Sequence, residues 1–219
     1  MYRTGGIFSI FSSLCYLSMG IFIILQPVLL QDANVDLFLN TMADKPVCFV
    51  LYYLAIALAA MFGIGTVKQI TDFFVLEDCE LIRWSQKLAY VGYAVLALSY
   101  FKVYTVKPYM ANFYSAASQT EKDTILTMDP YISFAPNGIV TYGFIGVWLL
   151  LICIFALKNK SGLMITNIMG IILGLIFLAV TYQDVPAAVT AILNTARGII
   201  SFLWFGLVGI FMLRKKRDL

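Results

Sequence analysis

The feature that most constrains this chain is a set of six apolar stretches, each about 20 residues long and almost free of charged side chains. As a helix, that length spans a hydrocarbon core of ~30 Å. Hydrophobic residues make up 61% of the 219 residues and charged residues 12%, whereas soluble domains have roughly 45–50% and about 25%. We therefore expect lipid to be the solvent of this chain. The six candidate spans are residues 6–30, 46–67, 84–104, 137–157, 162–182 and 194–213.

These stretches predict an all-α fold, a polytopic transmembrane helix bundle with about six spans, formed as one domain over residues 1–219. The first apolar stretch has to be distinguished from a cleaved signal peptide. It runs too far for one, from Gly6 to Leu30, and no small-residue cleavage site follows it. We therefore expect the first helix to be retained.

The distribution of Lys and Arg predicts the orientation, because loops in the cytoplasm carry an excess of these residues. With the N-terminus in the cytoplasm, ten of the 15 basic residues lie on that side and five on the other. Both termini are then cytoplasmic. The basic turn at Lys158 and Lys160 and the cluster at residues 214–217 serve as topology anchors or, alternatively, recognise anionic lipids. The five outer residues are Lys45, Lys102, Lys107, Lys122 and Arg197.

The connection between spans three and four, residues 105–136, carries an amphipathic pattern after Pro108. We predict an amphipathic helix there, on the outer surface. A shorter helix is predicted in the first outer loop. Such helices either close the outer end of the bundle or form a lid over a ligand site. The apolar positions are Met110, Phe113, Tyr114, Ala117, Thr124, Ile125 and Met128 in the long connection, and Val35, Phe38, Leu39 and Met42 in the first loop.

Small residues at a four-residue spacing permit close approach of membrane helices. Gly170 and Gly174 form such a pair in the fifth span. Packing within the chain is one interpretation, and a homo-oligomer formed through Gly170 and Gly174 is the other.

A polar stripe crosses the sixth span, where Asn194, Arg197 and Ser201 recur at three- and four-residue intervals. We expect this stripe to face the bundle. A guanidinium at that depth requires an anionic or carbonyl partner. The candidates are Asp184, Asp129, a lipid phosphate or an acidic ligand.

Trp148 and Trp204 lie near the centres of spans four and six, away from the membrane interfaces that tryptophan favours. Each indole N–H needs an acceptor, so both side chains are expected to face protein. They either pack between helices or line a pocket for an apolar ligand. The candidate ligand-binding residues are thus Arg197, Asn194, Ser201, Trp148 and Trp204.

The sequence argues against most catalytic chemistry. It has no histidine, its four cysteines form no CxxC pair, and no acidic residue lies inside a predicted span. Nucleotide-binding and metalloprotease motifs are also absent from the sequence. We expect a protein that is not an enzyme, with no catalytic residues, no metal site, no cofactor and no nucleic-acid partner.

From Asp129 and Pro130 through the Gly143, Gly146 and Trp148 helix, the basic turn and the glycine-bearing fifth span, the C-terminal half of the chain resembles bacterial six-span membrane families known only as domains of unknown function. The resemblance implies a multi-pass protein of a bacterial inner membrane and implies no activity. The protein itself is expected to have membrane lipids as partners, together with a protein partner or a second copy of the chain. The expected function is an accessory or assembly subunit, or a binder of a small apolar or lipid-like ligand from the outer face. A small transporter or permease is the alternative.

Overall fold

The computed structural model describes residues 2–30, 34–75, 79–132, 138–182 and 186–214. Within these ranges the chain is helical, with short turns between the helices. The helices are α1 (Tyr2–Leu25), α2 (Val35–Asp44), α3 (Pro46–Phe74), α4 (Glu80–Ala116), α5 (Gln119–Met128), α6 (Phe144–Lys158), α7 (Met164–Ala179) and α8 (Ala187–Arg214). Two 3₁₀ turns, Pro27–Leu30 and Asp129–Ile132, and a π-helix, Ile139–Gly143, complete the described part.

Among the described residues, five helices are long and apolar enough to cross a membrane, namely α1, α3, α4, α8 and the π-helix continued by α6. The predicted all-α membrane bundle is therefore confirmed. The fifth predicted span corresponds to α7, which has 16 residues and is about 24 Å long. Helix α7 is shorter than predicted because a glycine with φ +70°, Gly162, precedes it and a turn at Val180 ends it.

Successive long helices alternate in direction, so the bundle has two ends. We call the end that carries Tyr2, Phe74, Lys158 and Arg214 the basic end, and the opposite end, which carries α2 and α5, the cap end. At the basic end the Tyr2 hydroxyl donates to the carbonyl of Asp72 on α3 at 3.3 Å. The start of α1 and the end of α3 therefore lie together at the basic end.

Helix α1 buries small and polar side chains and exposes apolar ones, which is the reverse of a helix in a soluble protein. Its buried face consists largely of glycine and serine, whereas Phe11, Leu14 and Ile21 are exposed. The serine hydroxyls donate to backbone carbonyls of neighbouring helices, and this allows close contact without a free polar group in lipid. These bonds join Ser9 to Phe205 (2.8 Å), Ser12 to Ala59 (3.1 Å) and Ser13 to Phe202 (2.7 Å). Helix α1 is thus fixed between α3 and α8.

Helices α6 and α7 cross at glycine. A Cβ atom on Gly146 would lie 2.8 Å from the carbonyl oxygen of Gly174, and one on Gly174 would lie 2.9 Å from the carbonyl oxygen of Gly146. Gly170 is buried against Cys153 and Trp204. Packing within the chain therefore uses both Gly170 and Gly174. Self-association through them stays a prediction, and it would require α7 to leave α6.

The amphipathic helix after the third span begins later than predicted. Pro108 does not separate it from α4, which continues to Ala116 and is 37 residues, about 55 Å, long. Proline is tolerated here because water can satisfy the carbonyl that it leaves unbonded beyond the hydrocarbon region. The separate helix α5 begins after Ser118, where the Glu121 carboxylate accepts from the Ser118 N–H at 2.8 Å and from its hydroxyl at 2.7 Å. These bonds hold the pKa of Glu121 below its usual value.

The predicted helix in the first outer loop is confirmed as α2, and it closes the cap end. Its Phe38, Leu39 and Met42 are buried, and α2 packs on the part of α4 beyond Pro108. The Tyr114 hydroxyl donates to Asp36 at 2.8 Å and links the two helices. By contrast, α5 buries none of its residues.

Candidate functional site

The most unusual residue in the bundle is Arg197 on α8. Its side chain is 7% exposed although it carries a full charge. Arg197 precedes Arg214 at the basic end by 17 residues, which is about 25 Å along the helix, so it lies near the cap-end boundary of a ~30 Å hydrocarbon core. Burial of a charge at this depth requires compensation from the surrounding groups.

The compensation comes from tyrosines. The Arg197 guanidinium carbon lies 4.1 Å from the ring centroid of Tyr142, a distance typical of a cation–π contact. Tyr16, Tyr52 and Tyr100 also lie within electrostatic range of the guanidinium. We call Arg197 with these four tyrosines the tyrosine cage. Its members come from α1, α3, α4, the π-helix and α8, so five segments converge on one cation.

The π-helix explains how Tyr142 reaches its position. Gly138, with φ +69°, starts this helix, and the Gly143 N–H donates to the Gly138 carbonyl at 3.1 Å across the widened turn. Such turns are rare and frequently occur at functional sites. One hydroxyl of the pair Tyr100 and Tyr142 donates to the other at 3.0 Å, which fixes both rings.

No acidic side chain in the described ranges forms an ion pair with Arg197, and no hydrogen bond links the guanidinium to those ranges. Asp129, predicted as a candidate partner, instead pairs with Lys107 at 3.2 Å, because Lys107 belongs to α4 and the 3₁₀ turn Asp129–Ile132 packs against α4. That part of the prediction is wrong. The other acidic candidate, Asp184, lies outside the described residues.

Two further polar groups extend the site toward the centre of the bundle. Ser201, one turn after Arg197, and Tyr93 on α4 are fully buried. The Tyr16 hydroxyl lies within hydrogen-bonding reach of Ser201 and near Tyr93, and within the described part of the chain the Tyr93 hydroxyl makes no hydrogen bond. A buried hydroxyl without a partner is costly, so the Tyr93 hydroxyl points to a bound polar molecule or water.

The remaining predicted ligand-binding residues do not join the tyrosine cage. Trp148 and Trp204 are fully buried, and their indole N–H groups donate to Thr71 Oγ1 at 3.0 Å and to the Thr166 carbonyl at 2.9 Å. The prediction that both face protein is confirmed, and their part in ligand binding stays a prediction. Asn194, one turn before Arg197, is half-buried on the cap-end side of the cage.

Sequence reasoning found Arg197 and Ser201 but did not connect the tyrosines with them. A signal for Tyr142 existed in the sequence, because glycines at positions 138 and 143 bracket it within an apolar stretch. No comparable signal marks Tyr16, Tyr52 or Tyr100, since tyrosine is frequent throughout this chain, at 13 residues.

A separate apolar cavity of about 300 Å³ opens at the cap end between α4 and α5. The cavity lies on the opposite face of α4 from the tyrosine cage, because Lys102 is two residues from Tyr100 and two helical residues differ by about 200°. Its lining is Lys102, Val106, Met110, Ile125, Met128 and Ile132.

Comparisons with protein-family models, curated proteins and solved structures give no match to this chain. The chemistry of the site must therefore be argued from its own groups. A guanidinium and several hydroxyls, enclosed by aromatic rings near one membrane boundary, can bind and orient an anion. The predicted resemblance to six-span bacterial families stays a prediction.

Proposed function

We propose that this integral membrane protein binds a lipid-like molecule from its cap end, without catalysis, and that Arg197 holds the acidic group of that molecule. The observation that carries this proposal is a buried cation surrounded by tyrosines and without an acidic partner among the described residues. Leaving a buried charge unpaired is strongly destabilising. An anionic ligand supplies the missing charge.

The level of Arg197 supports a lipid-like ligand. At about 25 Å from Arg214, the guanidinium lies where the headgroups of one leaflet meet its acyl chains. Large apolar side chains on α8, such as Ile192 and Ile199, are exposed toward the surrounding lipid. A ligand with an acidic head and an apolar tail satisfies both environments.

We expect Arg197→Gln to lose a lipid that the wild-type protein retains. The substitution keeps a polar side chain of similar length and removes the charge-assisted hydrogen bonds, which are worth roughly 1.5–3 kcal/mol each. The measurement is the number of acyl chains per protein, by mass spectrometry of fatty-acid methyl esters, after extraction in native lipid and exchange into detergent.

Arg214→Gln provides the matched control, since it is the same substitution on the same helix at an exposed position. The control is expected to retain acyl chains at the wild-type level. Equal retention by Arg197→Gln and Arg214→Gln would refute a role for Arg197 in binding.

We also propose that the basic end faces the cytoplasm of a bacterial cell and the cap end faces outward, with both termini cytoplasmic. The excess of Lys and Arg at the basic end supports this orientation. A reporter fused after Leu219 is expected to be active only in the cytoplasm, and one inserted next to Gln119 only outside. Reversed activities at the two positions would overturn the proposed orientation and would place the ligand entry on the cytoplasmic side.

A small permease is the second candidate function, and the buried hydroxyls of Ser201 and Tyr93 favour it, the latter without a partner among the described residues. They extend the polar interior beyond the tyrosine cage toward the middle of the bundle. A positively charged group at the entrance excludes cations and protons, so the solute would be neutral or anionic. Uptake of such a solute by vesicles containing the protein, but not by empty vesicles, would favour transport over binding.

A further inference from the structure

We propose that the acidic group at the tyrosine cage is a phosphodiester carrying one negative charge, the headgroup chemistry of an anionic membrane lipid. This inference rests on the proposed function and deepens it. It depends on two properties of the described cage, the number of positive charges and the number of different segments that contribute its hydrogen-bond donors.

The charge of the cage is that of one guanidinium. Arg197 is the cation within the ring of tyrosines, and among the described residues the groups in electrostatic range of it are the four phenols. In a weakly solvated interior an excess of either sign is expensive. A monoanion is therefore matched, whereas a phosphate monoester carries about −1.5 to −2 charges at neutral pH.

The donors outnumber the acceptors. The guanidinium has five N–H groups and no acceptor. Between Tyr100 and Tyr142 one hydroxyl donates to the other, and the accepting hydroxyl keeps its own O–H as a donor. The Ser201 and Tyr16 hydroxyls lie within reach of each other, and such a pair likewise retains one O–H to donate. The ligand must therefore bring several acceptor oxygens.

The separate origins of these donors favour a phosphodiester over a carboxylate. Tyr16 belongs to α1, Tyr100 to α4, Tyr142 to the π-helix, and Arg197 and Ser201 to α8. A carboxylate has two oxygens in one plane, and a single guanidinium fork can satisfy both. A tetrahedral phosphodiester presents its oxygens in several directions, which fits donors arranged around it.

The test measures binding of three probes to the full-length protein purified in a sugar-based detergent, followed by tryptophan fluorescence. Dioleoyl phosphatidylglycerol supplies a monoanionic phosphodiester with acyl chains, oleate supplies a carboxylate with an acyl chain, and dimethyl phosphate supplies the diester without a chain. We expect phosphatidylglycerol to bind at least about tenfold more tightly than either of the others.

The variants assign the binding to the cage. Arg197→Gln is expected to weaken phosphatidylglycerol binding by about 10–100-fold, and Arg214→Gln is expected to leave it unchanged. Tyr142→Phe keeps the ring beneath the guanidinium, and Ser201→Ala removes a single small hydroxyl, so both are expected to fold even if Arg197→Gln does not. Each is expected to weaken binding by about 3–10-fold.

Any other result refutes the phosphodiester, the lipid-like ligand or both. Oleate bound as tightly as phosphatidylglycerol, with loss in Arg197→Gln, refutes the phosphodiester and leaves the proposed function in place. Dimethyl phosphate bound as tightly as phosphatidylglycerol supports phosphodiester recognition but refutes a lipid-like ligand. Phosphatidylglycerol bound equally by Arg197→Gln and Arg214→Gln refutes both.

Discussion

Replacing Gly146 with leucine is expected to separate α6 from α7 and to destabilise the bundle by more than about 3 kcal/mol, beyond the usual range for overpacking. The Cβ atom alone would lie 2.8 Å from the Gly174 carbonyl oxygen, and a backbone atom cannot rotate away. The larger side chain must displace the whole of α7. The measurement is the unfolding midpoint in mixed micelles of increasing sodium dodecyl sulfate content, followed by tryptophan fluorescence.

Gly20→Leu is the matched control for this prediction. Gly20 lies in α1, another membrane-spanning helix, and no heavy atom of another segment lies within 4 Å of the position that its Cβ would take. The control is expected to unfold at the wild-type midpoint or slightly above it, since leucine has the higher helix propensity. If both variants unfold at the same midpoint, the close crossing at Gly146 and Gly174 does not contribute to stability.

Trp204→Ala is expected to cost about 3–5 kcal/mol, the range found for large aromatic side chains removed from a core. Trp204 is fully buried on α8, stacks on Phe74 with ring centroids 6.0 Å apart, and donates to the Thr166 carbonyl at 2.9 Å. The substitution leaves a cavity at the junction of α3, α7 and α8. The same unfolding assay, followed by circular dichroism to avoid the lost fluorophore, measures the effect.

Trp84→Ala tests whether the loss comes from the cavity or from removal of any tryptophan. Trp84 is 50% exposed near the start of α4, so its removal leaves no enclosed cavity. A shift of less than about 1 kcal/mol is expected. A loss as large as that of Trp204→Ala would mean that the buried contacts of Trp204 are not what stabilises the bundle.

The long helices could be predicted because the length of an apolar stretch is set directly by the thickness of the membrane. The end of α4 could not be predicted in this way. A proline such as Pro108 usually ends a helix, but here α2 packs on α4 beyond the proline, and the local sequence does not reveal that tertiary contact. For the same reason, the amphipathic pattern was assigned to one helix although it is shared between α4 and α5.

The site was predicted in part. Arg197 and Ser201 stand out because polar residues are conspicuous in an apolar stretch, and their spacing places them on one helix face. Of the tyrosines near Arg197, Tyr142 is 55 residues away from it in the sequence, and the other three are 97 to 181 residues away. Their convergence depends on how the helices are rotated about their axes, and apolar periodicity does not determine rotation in a chain that is apolar on most faces.

The contact between α1 and α8 has a consequence for biogenesis. Spans enter the membrane in chain order, so α1 is in lipid long before the carbonyl acceptors of Ser9 and Ser13, at Phe205 and Phe202, have been synthesised. Until then the serine face of α1 lacks its partner, the last helix. Assembly therefore finishes when the first and last helices come together. If synthesis stops before α8, the side of α1 that α8 would cover stays exposed and accessible to membrane quality-control proteases.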